Sequence, residues 1–408
     1  MKLRICFICD EYPPISHGGI GVAVKLLAEE LVAQGNEVYV VGLSPKSYGG
    51  LQNEIINGVN IYRIKHGLSI PSSFTNNLIY KSMNKVFNSD FLNINKAWIK
   101  QNNFIEKLVA DKNVDIIEFT DFRFSFSHLK IRKRFNYWPK IEKKILKLSR
   151  FHGSINFFRL ESGLKISRKE LFFENSLISY CDHFISVSSY TADKMFEYYN
   201  INPDEITTIP NAINIDKTNK KSKRENIIIF SGSLVKKKGI IELLKSWNIV
   251  CENNKNVILE IYGKGIKIKF IRYVLPEYRN KVKFKGHLDR KKLLERYLVA
   301  NLAIFPSHSE TFGLAPLESM MMGCPTIGSK TFVNNWYNTD ENAMIILDSI
   351  DEKNIAKEIN TLLNNESLRK RLSINGEKYV KNNFDIRKIA ERNINVYKEL
   401  LRIKKYET

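Results

Sequence analysis

The chain is expected to be an α/β protein of two doubly wound parallel-sheet units, and three observations predict it. Its 408 residues are too many for a single hydrophobic core, since such cores stop growing at roughly 250 to 300 residues. Apolar, strand-like runs alternate with helix-periodic segments in both halves, which is the pattern of a parallel sheet. A stretch punctuated by Pro and Asn around Pro210, "TTIPNAINID", separates the two series and reads as a linker. The expected division is 1–207, 208–385 and a final segment 386–408.

The first series opens with "LRICFICDEYPP", a short apolar strand ended by a Pro pair. The glycine-rich "ISHGGIG" follows, then "VAVKLLAEELVAQG", whose apolar residues recur at helical spacing and which stops at Gly35. "NEVYVVGL" is a second buried strand, and a strand, turn, helix, strand unit of this kind builds a parallel sheet. Further strands for the same sheet are "DIIEFT" (Asp115 to Thr120) and "HFISVSS" (His183 to Ser189). The second series runs strand "NIIIFSGSL", helix "GIIELLKSWNIVCE", strands "NVILEIYGKG" and "KVKFKGHL" and helix "RKKLLERYLVA". It continues with strand "NLAIFPSHSE", helix "PLESMMMG" and strand "CPTIG". The closing "IRKIAERNINVYKELLRIKKY" has the spacing of one long amphipathic helix. Two such units joined by a linker are expected to turn the carboxyl ends of both sheets toward a common cleft, the edge where open α/β sheets bind ligands.

Composition narrows the classes. With 43% hydrophobic and 11% aromatic residues the chain can fill two ordinary cores. No apolar run approaches the roughly 20 residues that span a bilayer, and the amino-terminal run reaches Asp10 too soon for a signal peptide, so an intracellular, cytoplasmic location is expected. Cys6, Cys9, Cys181, Cys251 and Cys324 make no disulfide framework. Cys6 and Cys9 lie three apart in a strand and so point to opposite faces, which suits buried thiols rather than a metal site.

The formal charge of +21 attracts anions: nucleic acid, an anionic membrane face or phosphorylated ligands. "HLKIRKRFNYWPKIEKKILKLSR", His128 to Arg150, interleaves that charge with Phe135, Tyr137, Trp138, Ile141, Ile145 and Leu148. Two readings fit it equally: a solvated amphipathic helix on its own domain, or a segment in the headgroup region of an anionic membrane. No nucleic-acid-binding motif accompanies the charge, and no nucleic-acid partner is expected. "HGGIGVA" also lacks the G-x-G-x-x-G of a dinucleotide-binding dehydrogenase.

The chemistry is expected around "ETFGLAPLE", Glu310 to Glu318. The preceding strand ends near Phe305, and Pro316 suits the first turn of a helix. Glu310 then hangs on the loop while Glu318 falls in the first helical turn. Between them the amides of Thr311, Phe312, Gly313 and Leu314, with the positive end of the helix dipole, can hold an anion. Carboxylates are strong acceptors for vicinal hydroxyls, so phosphates flanked by sugars would satisfy the whole stretch. Taken singly, each glutamate also fits a plainer role, Glu318 complementing the dipole and Glu310 as a solvated acid.

"PSHSETFGLAPLESMMMGCPTIG" resembles the E-x7-E signature of the retaining glycosyltransferases of family 4, which have the GT-B fold of two Rossmann-like domains. Other stretches resemble that family in order: "YPPISHGGIG" the amino-terminal glycine loop, "RFHGSI" the histidine loop, "IPNAIN" the interdomain stretch and "SGSLVKKKG" the phosphate-binding turn. The final helix resembles the one that crosses back to the first domain. The resemblance implies that Glu310 holds hydroxyls of the transferred sugar and Glu318 the ribose hydroxyls of the nucleotide. Phe312, Gly313 and Leu314 would offer backbone N–H groups, and Gly18 and Gly19 would let the backbone close on the donor phosphates. His152 matches the histidine beside the transferred sugar, and Lys238 the lysine that neutralises the diphosphate. Where the family usually has Arg beside that lysine, this chain has Ser233, and Lys236 or Lys237 could supply the missing charge.

The activity so implied is transfer of a sugar, with retained anomeric configuration, from a nucleotide diphosphate sugar to an acceptor hydroxyl. The acceptor would be a glycan or a lipid-linked glycan, as in surface polysaccharide or glycolipid synthesis, with peripheral contact to an anionic membrane. No cofactor and no metal are expected, since Asp-x-Asp is absent. A GT-B nucleotide sugar epimerase or hydrolase, and a basic nucleic-acid-binding protein, are the alternatives.

Overall fold

The computed structural model describes residues 2–14, 19–45, 48–66, 89–123, 129, 137–215 and 224–407. The chain divides into two compact units, one of Met1–Val187, Thr191–Ala212 and Ile386–Thr408 and the other of Ser188–Tyr190 and Ile213–Asp385.

The first unit is built on eight strands: β1 (Arg4–Ile8), β2 (Glu37–Ser44), β3 (Asn53–Ile56), β4 (Val59–Lys65), β5 (Ile116–Thr120), β6 (Leu146–Phe151), β7 (His183–Ser186) and β8 (Ile206–Thr208). They lie in the order β3-β4-β2-β1-β5-β6-β7-β8. Only the β3–β4 hairpin is antiparallel; every other neighbouring pair is parallel. Strand alternation sends β1 side chains to two cores. Ile5 and Phe7, with Cys9 just past the strand, join the cluster covered by the helix Gly19–Ala33 and the C-terminal helix Ile386–Glu407. Cys6 and Ile8 join the one covered by Trp98, Ile105 and Leu108 of the helix Ser89–Asp111. The two cysteines therefore face opposite sides, as their spacing requires, and burial pushes both thiols well above the usual range.

A buried charge network ties the C-terminal helix to this sheet. Arg150 Nε donates to Glu118 Oε1 at 2.6 Å, and its Nη2 donates to Asn393 Oδ1 at 2.6 Å. Tyr397 Oη donates to Glu118 Oε2 at 2.5 Å. The pair is almost fully buried, and the added hydrogen bonds satisfy lone pairs and protons that burial would otherwise leave orphaned.

One expectation is corrected here. The described part of His128 to Arg150 is a loop running into β6 rather than a helix. Tyr137 and Trp138 are buried in ring contacts with Phe173 and Phe119, so neither ring is available to lipid headgroups. Phe135 lies outside the described residues. Along the stretch read as a linker, Thr207 and Thr208 end β8, and Ile209, Ala212 and Ile213 are buried, with the division between the units falling after Ala212.

The second unit holds β9 (Glu225–Ser231), β10 (Ile258–Tyr262), β11 (Val282–Gly286), β12 (Ala300–Phe305), β13 (Thr326–Ser329) and β14 (Ile345–Leu347). They are all parallel, in the order β11-β10-β9-β12-β13-β14. Connections therefore reverse direction between β9 and β12, and the crevice beyond the carboxyl ends of those two strands is where an open doubly wound sheet takes its ligand. In the first unit the same reversal falls between β1 and β5.

Candidate active site

In the second unit, the loops leaving β9 and β12 meet at the reversal point. β9 ends at Ser231, and the chain turns through Gly232 and an exposed Ser233 into the 3-10 turn Lys236–Lys238. Gly239 closes that turn at φ +67°, with its would-be Cβ 1.9 Å from the Pro306 carbonyl oxygen, so only glycine fits. The turn is thereby pressed against the loop after β12, and His308 N donates to Lys237 O at 2.8 Å.

Lys238 and Glu310 are in direct contact, Nζ donating to Oε1 in an ion pair. Ser307 Oγ donates to the same carboxylate oxygen at 3.0 Å. Glu310 is only 15% exposed and is therefore not a solvated loop acid. Burial, and then the neighbouring Lys238, lower the Lys237 ammonium below its usual range. The loop is pinned from behind: Asn335 Nδ2 donates to Glu310 O at 2.8 Å, and Trp336 Nε1 donates to Phe312 O. Phe312 itself is buried among Trp336 and Phe384.

The helix after the loop spans Leu314–Met321, which puts Pro316 in its first turn and starts the helix two residues before "PLESMMMG". Gly313, at φ +87°, leads into it. Among the described residues, the N–H groups of Phe312, Gly313 and Leu314 meet no acceptor, as the first N–H groups of a helix cannot within the helix itself. Glu318 falls in the second turn, past the reach of a dipole-complementing acid, which corrects its expected place in the first. Its side chain is 9% exposed, and Arg290 Nε donates to its Oε1 at 2.6 Å.

In the first unit, His152 follows β6, directly beyond Arg150 and Phe151. Its backbone N–H and that of Gly153 donate to the two oxygens of Asp121, each at 2.9 Å. The histidine is 4% exposed and its Nε2 is buried without a partner. Desolvation, with Arg150 adding to it, pushes the imidazole down to about 3, so the ring is neutral at physiological pH. Burial raises Asp121 to about 7, against the lowering effect of the N–H groups that it accepts. Gly19 is the exposed first residue of the helix Gly19–Ala33, and Gly18 lies outside the described residues.

Sequence reading missed Asp121 and Arg290. Asp121 follows the strand "DIIEFT", at a strand's carboxyl end where ligand-shaping residues collect, and that signal could have found it. Nothing local marks Arg290 as the partner of Glu318. Among the described residues, no group of three or more His, Cys, Asp or Glu is arranged to hold a metal, and no helix is long and apolar enough to cross a membrane.

Two family models match the chain: Glycosyltransferase Family 4 over residues 17–217 and Glycosyl transferases group 1 over residues 211–379. The glycogen synthase of Mycobacterium tuberculosis is 25% identical over 344 residues, covering 80% of this chain and 78% of that one. The capsular polysaccharide biosynthesis glycosyltransferase CapM of Staphylococcus aureus is 31% identical over 188 residues, 45% of this chain and 48% of that one. Among solved structures, the sucrose-phosphate synthase from Thermosynechococcus elongatus superposes with a TM-score of 0.72 at 18% identity, over 98% of this chain and 100% of that one. With the two models meeting end to end over residues 17–379 and two parallel-sheet units beneath them, the chain is a glycosyltransferase of GT-B fold.

Proposed function

We propose that the protein is a retaining hexosyltransferase that moves a sugar from a nucleotide diphosphate sugar to a hydroxyl of a glycan or lipid-linked acceptor. The observation that carries this reading is the constellation at the β9–β12 reversal: Lys238 on the turn after β9, against Glu310, the unengaged N–H groups of Phe312 to Leu314, and Glu318 on the continuous loop and helix after β12. Cation and amides suit a diphosphate, and carboxylates on either side suit two polyhydroxylated rings.

In this reading Glu310 gathers hydroxyls of the transferred sugar, and Glu318 takes the ribose diol. Lys238, released from Glu310, places its ammonium where the leaving diphosphate gains charge. The acceptor oxygen bonds to the anomeric carbon as the bond from that carbon to the diphosphate oxygen breaks. The departing phosphate takes the acceptor's proton, so no protein base is needed and catalysis is positioning plus charge stabilisation. Lys238 and the amides supply the positive charge that a metal would bring. With Ser233 where the family usually has Arg, the second cation is Lys237, held to the signature loop through His308. His152, which the resemblance assigns to the transferred sugar, is neutral and buried, so in that role it would act as a hydrogen-bonding group rather than a charge.

CapM and the glycogen synthase, both similar to this chain, support a saccharide-building role, and we assign the acceptor to surface polysaccharide or glycolipid synthesis in the cytoplasm. Contact with the inner membrane face then rests on the net charge of +21 rather than on inserted rings, because Tyr137 and Trp138 are in the core.

The test is a screen of UDP, GDP and ADP sugars for protection against thermal unfolding, followed by NMR of the glycoside formed. A donor at a hundred times its Kd should stabilise the protein by about 2.7 kcal/mol. Absence of protection by every sugar nucleotide, or a product of inverted configuration, removes the reading.

A further inference from the structure

We infer that Arg290 is a positioning residue for nucleotide binding: it fixes the Glu318 carboxylate through one oxygen, so that the other is presented ready-oriented to the ribose diol. The inference rests on the donor reading above and adds a residue that the signature does not contain.

Three observations carry it. Glu318 is nine-tenths buried, and Arg290 Nε, at 2.6 Å from Oε1, is the one side-chain donor that it meets among the described residues. A carboxylate so far removed from water needs a charge-assisted partner, or it remains an uncompensated buried charge. Second, only Oε1 is engaged, so Oε2 keeps its lone pairs for a hydroxyl while the Arg290 bond holds the side chain in one orientation. A free glutamate would have to lose rotamer freedom on binding, a cost that is here already met in the unliganded protein.

Third, Arg290 stands where its own helix gives it no support. It is the first residue of the helix Arg290–Val299, directly after Asp289, whose side chain caps the helix by accepting from Lys291 N at 3.0 Å. A cation in the first turn opposes the helix dipole. Helix stability therefore does not explain an arginine at this position, whereas the contact with Glu318 does. The guanidinium is 33% exposed and uses only Nε toward the carboxylate, so it leaves the diol side of the carboxylate open.

The test uses the full chain with whichever of UDP, GDP or ADP binds it most tightly, and the 2′,3′-dideoxy form of the same nucleotide. Wild-type protein should prefer the ribonucleotide by about tenfold or more, the usual size of a charge-assisted hydrogen bond. Arg290→Gln should weaken the ribonucleotide by about tenfold and leave the dideoxynucleotide unchanged, so that the preference falls toward one. Arg290→Lys should recover part of it, and on a Glu318→Gln background Arg290→Gln should have no further effect. With a donor sugar, KM should rise while kcat stays within about twofold, because the ribose is remote from the breaking bond.

If Arg290→Gln weakens both nucleotides equally, the arginine touches diphosphate or base itself and the inference is wrong. If the preference survives the substitution unchanged, it is equally wrong. If Arg290→Gln does not fold, the Lys variant decides alone, an unaltered preference with a lost ion pair counting against us. A wild-type protein that binds both nucleotides alike would instead sink the assignment of Glu318 to the ribose, whatever Arg290 does.

Discussion

At the residue scale, the oddest group is His152, an imidazole shut inside the first unit with Nε2 unpartnered and held near 3 by burial and by Arg150. Its backbone is fixed by Asp121, itself raised to about 7, with Glu174 among the charges that raise it. These shifts pull stability in opposite directions. Between pH 6.5 and about 3 the unfolded chain protonates His152 while the folded protein does not, so the histidine costs stability as pH falls through that window. Asp121 does the reverse, because the folded state takes up its proton from about pH 7 downward, well before the unfolded chain does near 3.8. His152→Gln should therefore flatten the loss of Tm between pH 7 and pH 5, by an amount worth roughly 2 kcal/mol at the acid end. Asp121→Asn should steepen it. Melting curves at a few pH values decide this, and parallel curves for wild type and both variants would show that neither shift exists.

At the scale of elements, the turn Lys236–Lys238 and the loop after β12 act as one piece, because Gly239 lets the backbone run against Pro306. A methyl group there meets a carbonyl oxygen at 1.9 Å on a backbone already at φ +67°. Gly239→Ala should lower Tm by about 5 °C or more and cost nucleotide protection in the same samples. A variant that melts with wild type and still binds would mean that the two loops are not coupled. Such elements were legible in the sequence because they are local: "SGSLVKKKG" and "ETFGLAPLE" announce a glycine turn and a loop-to-helix start in consecutive residues. What could not be read is what depends on distant partners. Arg290 reaches Glu318 across 28 positions and Asp121 holds His152 across 31, with no periodicity to betray either. The strands β3 and β14 are too short and too partly exposed to stand out. Tyr137 and Trp138 look like a surface stripe beside so many lysines, until the fold turns them inward against Phe173 and Phe119.

At the scale of the whole molecule, chain order makes the two units unequal. The second is nearly continuous, and its ends meet, Ile213 N donating to Phe384 O at 2.8 Å, so it is an insertion with its own core. The first is completed only when the chain returns to it. Ile389, Ala390, Tyr397 and Leu401 of the C-terminal helix share a cluster with Val24, Leu27, Ala28 and Leu31, while Asn393 and Tyr397 complete the buried Arg150–Glu118 pair. Burial of a large apolar side chain is worth about 1.5 to 3 kcal/mol, and a buried ion pair stripped of its hydrogen bonds costs more still. Together these losses rival the roughly 5 to 15 kcal/mol that hold a whole protein folded. A chain ending at Asp385 should therefore lose the first unit and keep the second. Limited proteolysis should leave a resistant fragment close to Ile213–Asp385, and UDP, GDP or ADP should still protect that fragment if its loops carry the nucleotide contacts. Should the shortened chain resist protease throughout, with an unchanged melt, the C-terminal helix is an appendage and the first unit is complete without it.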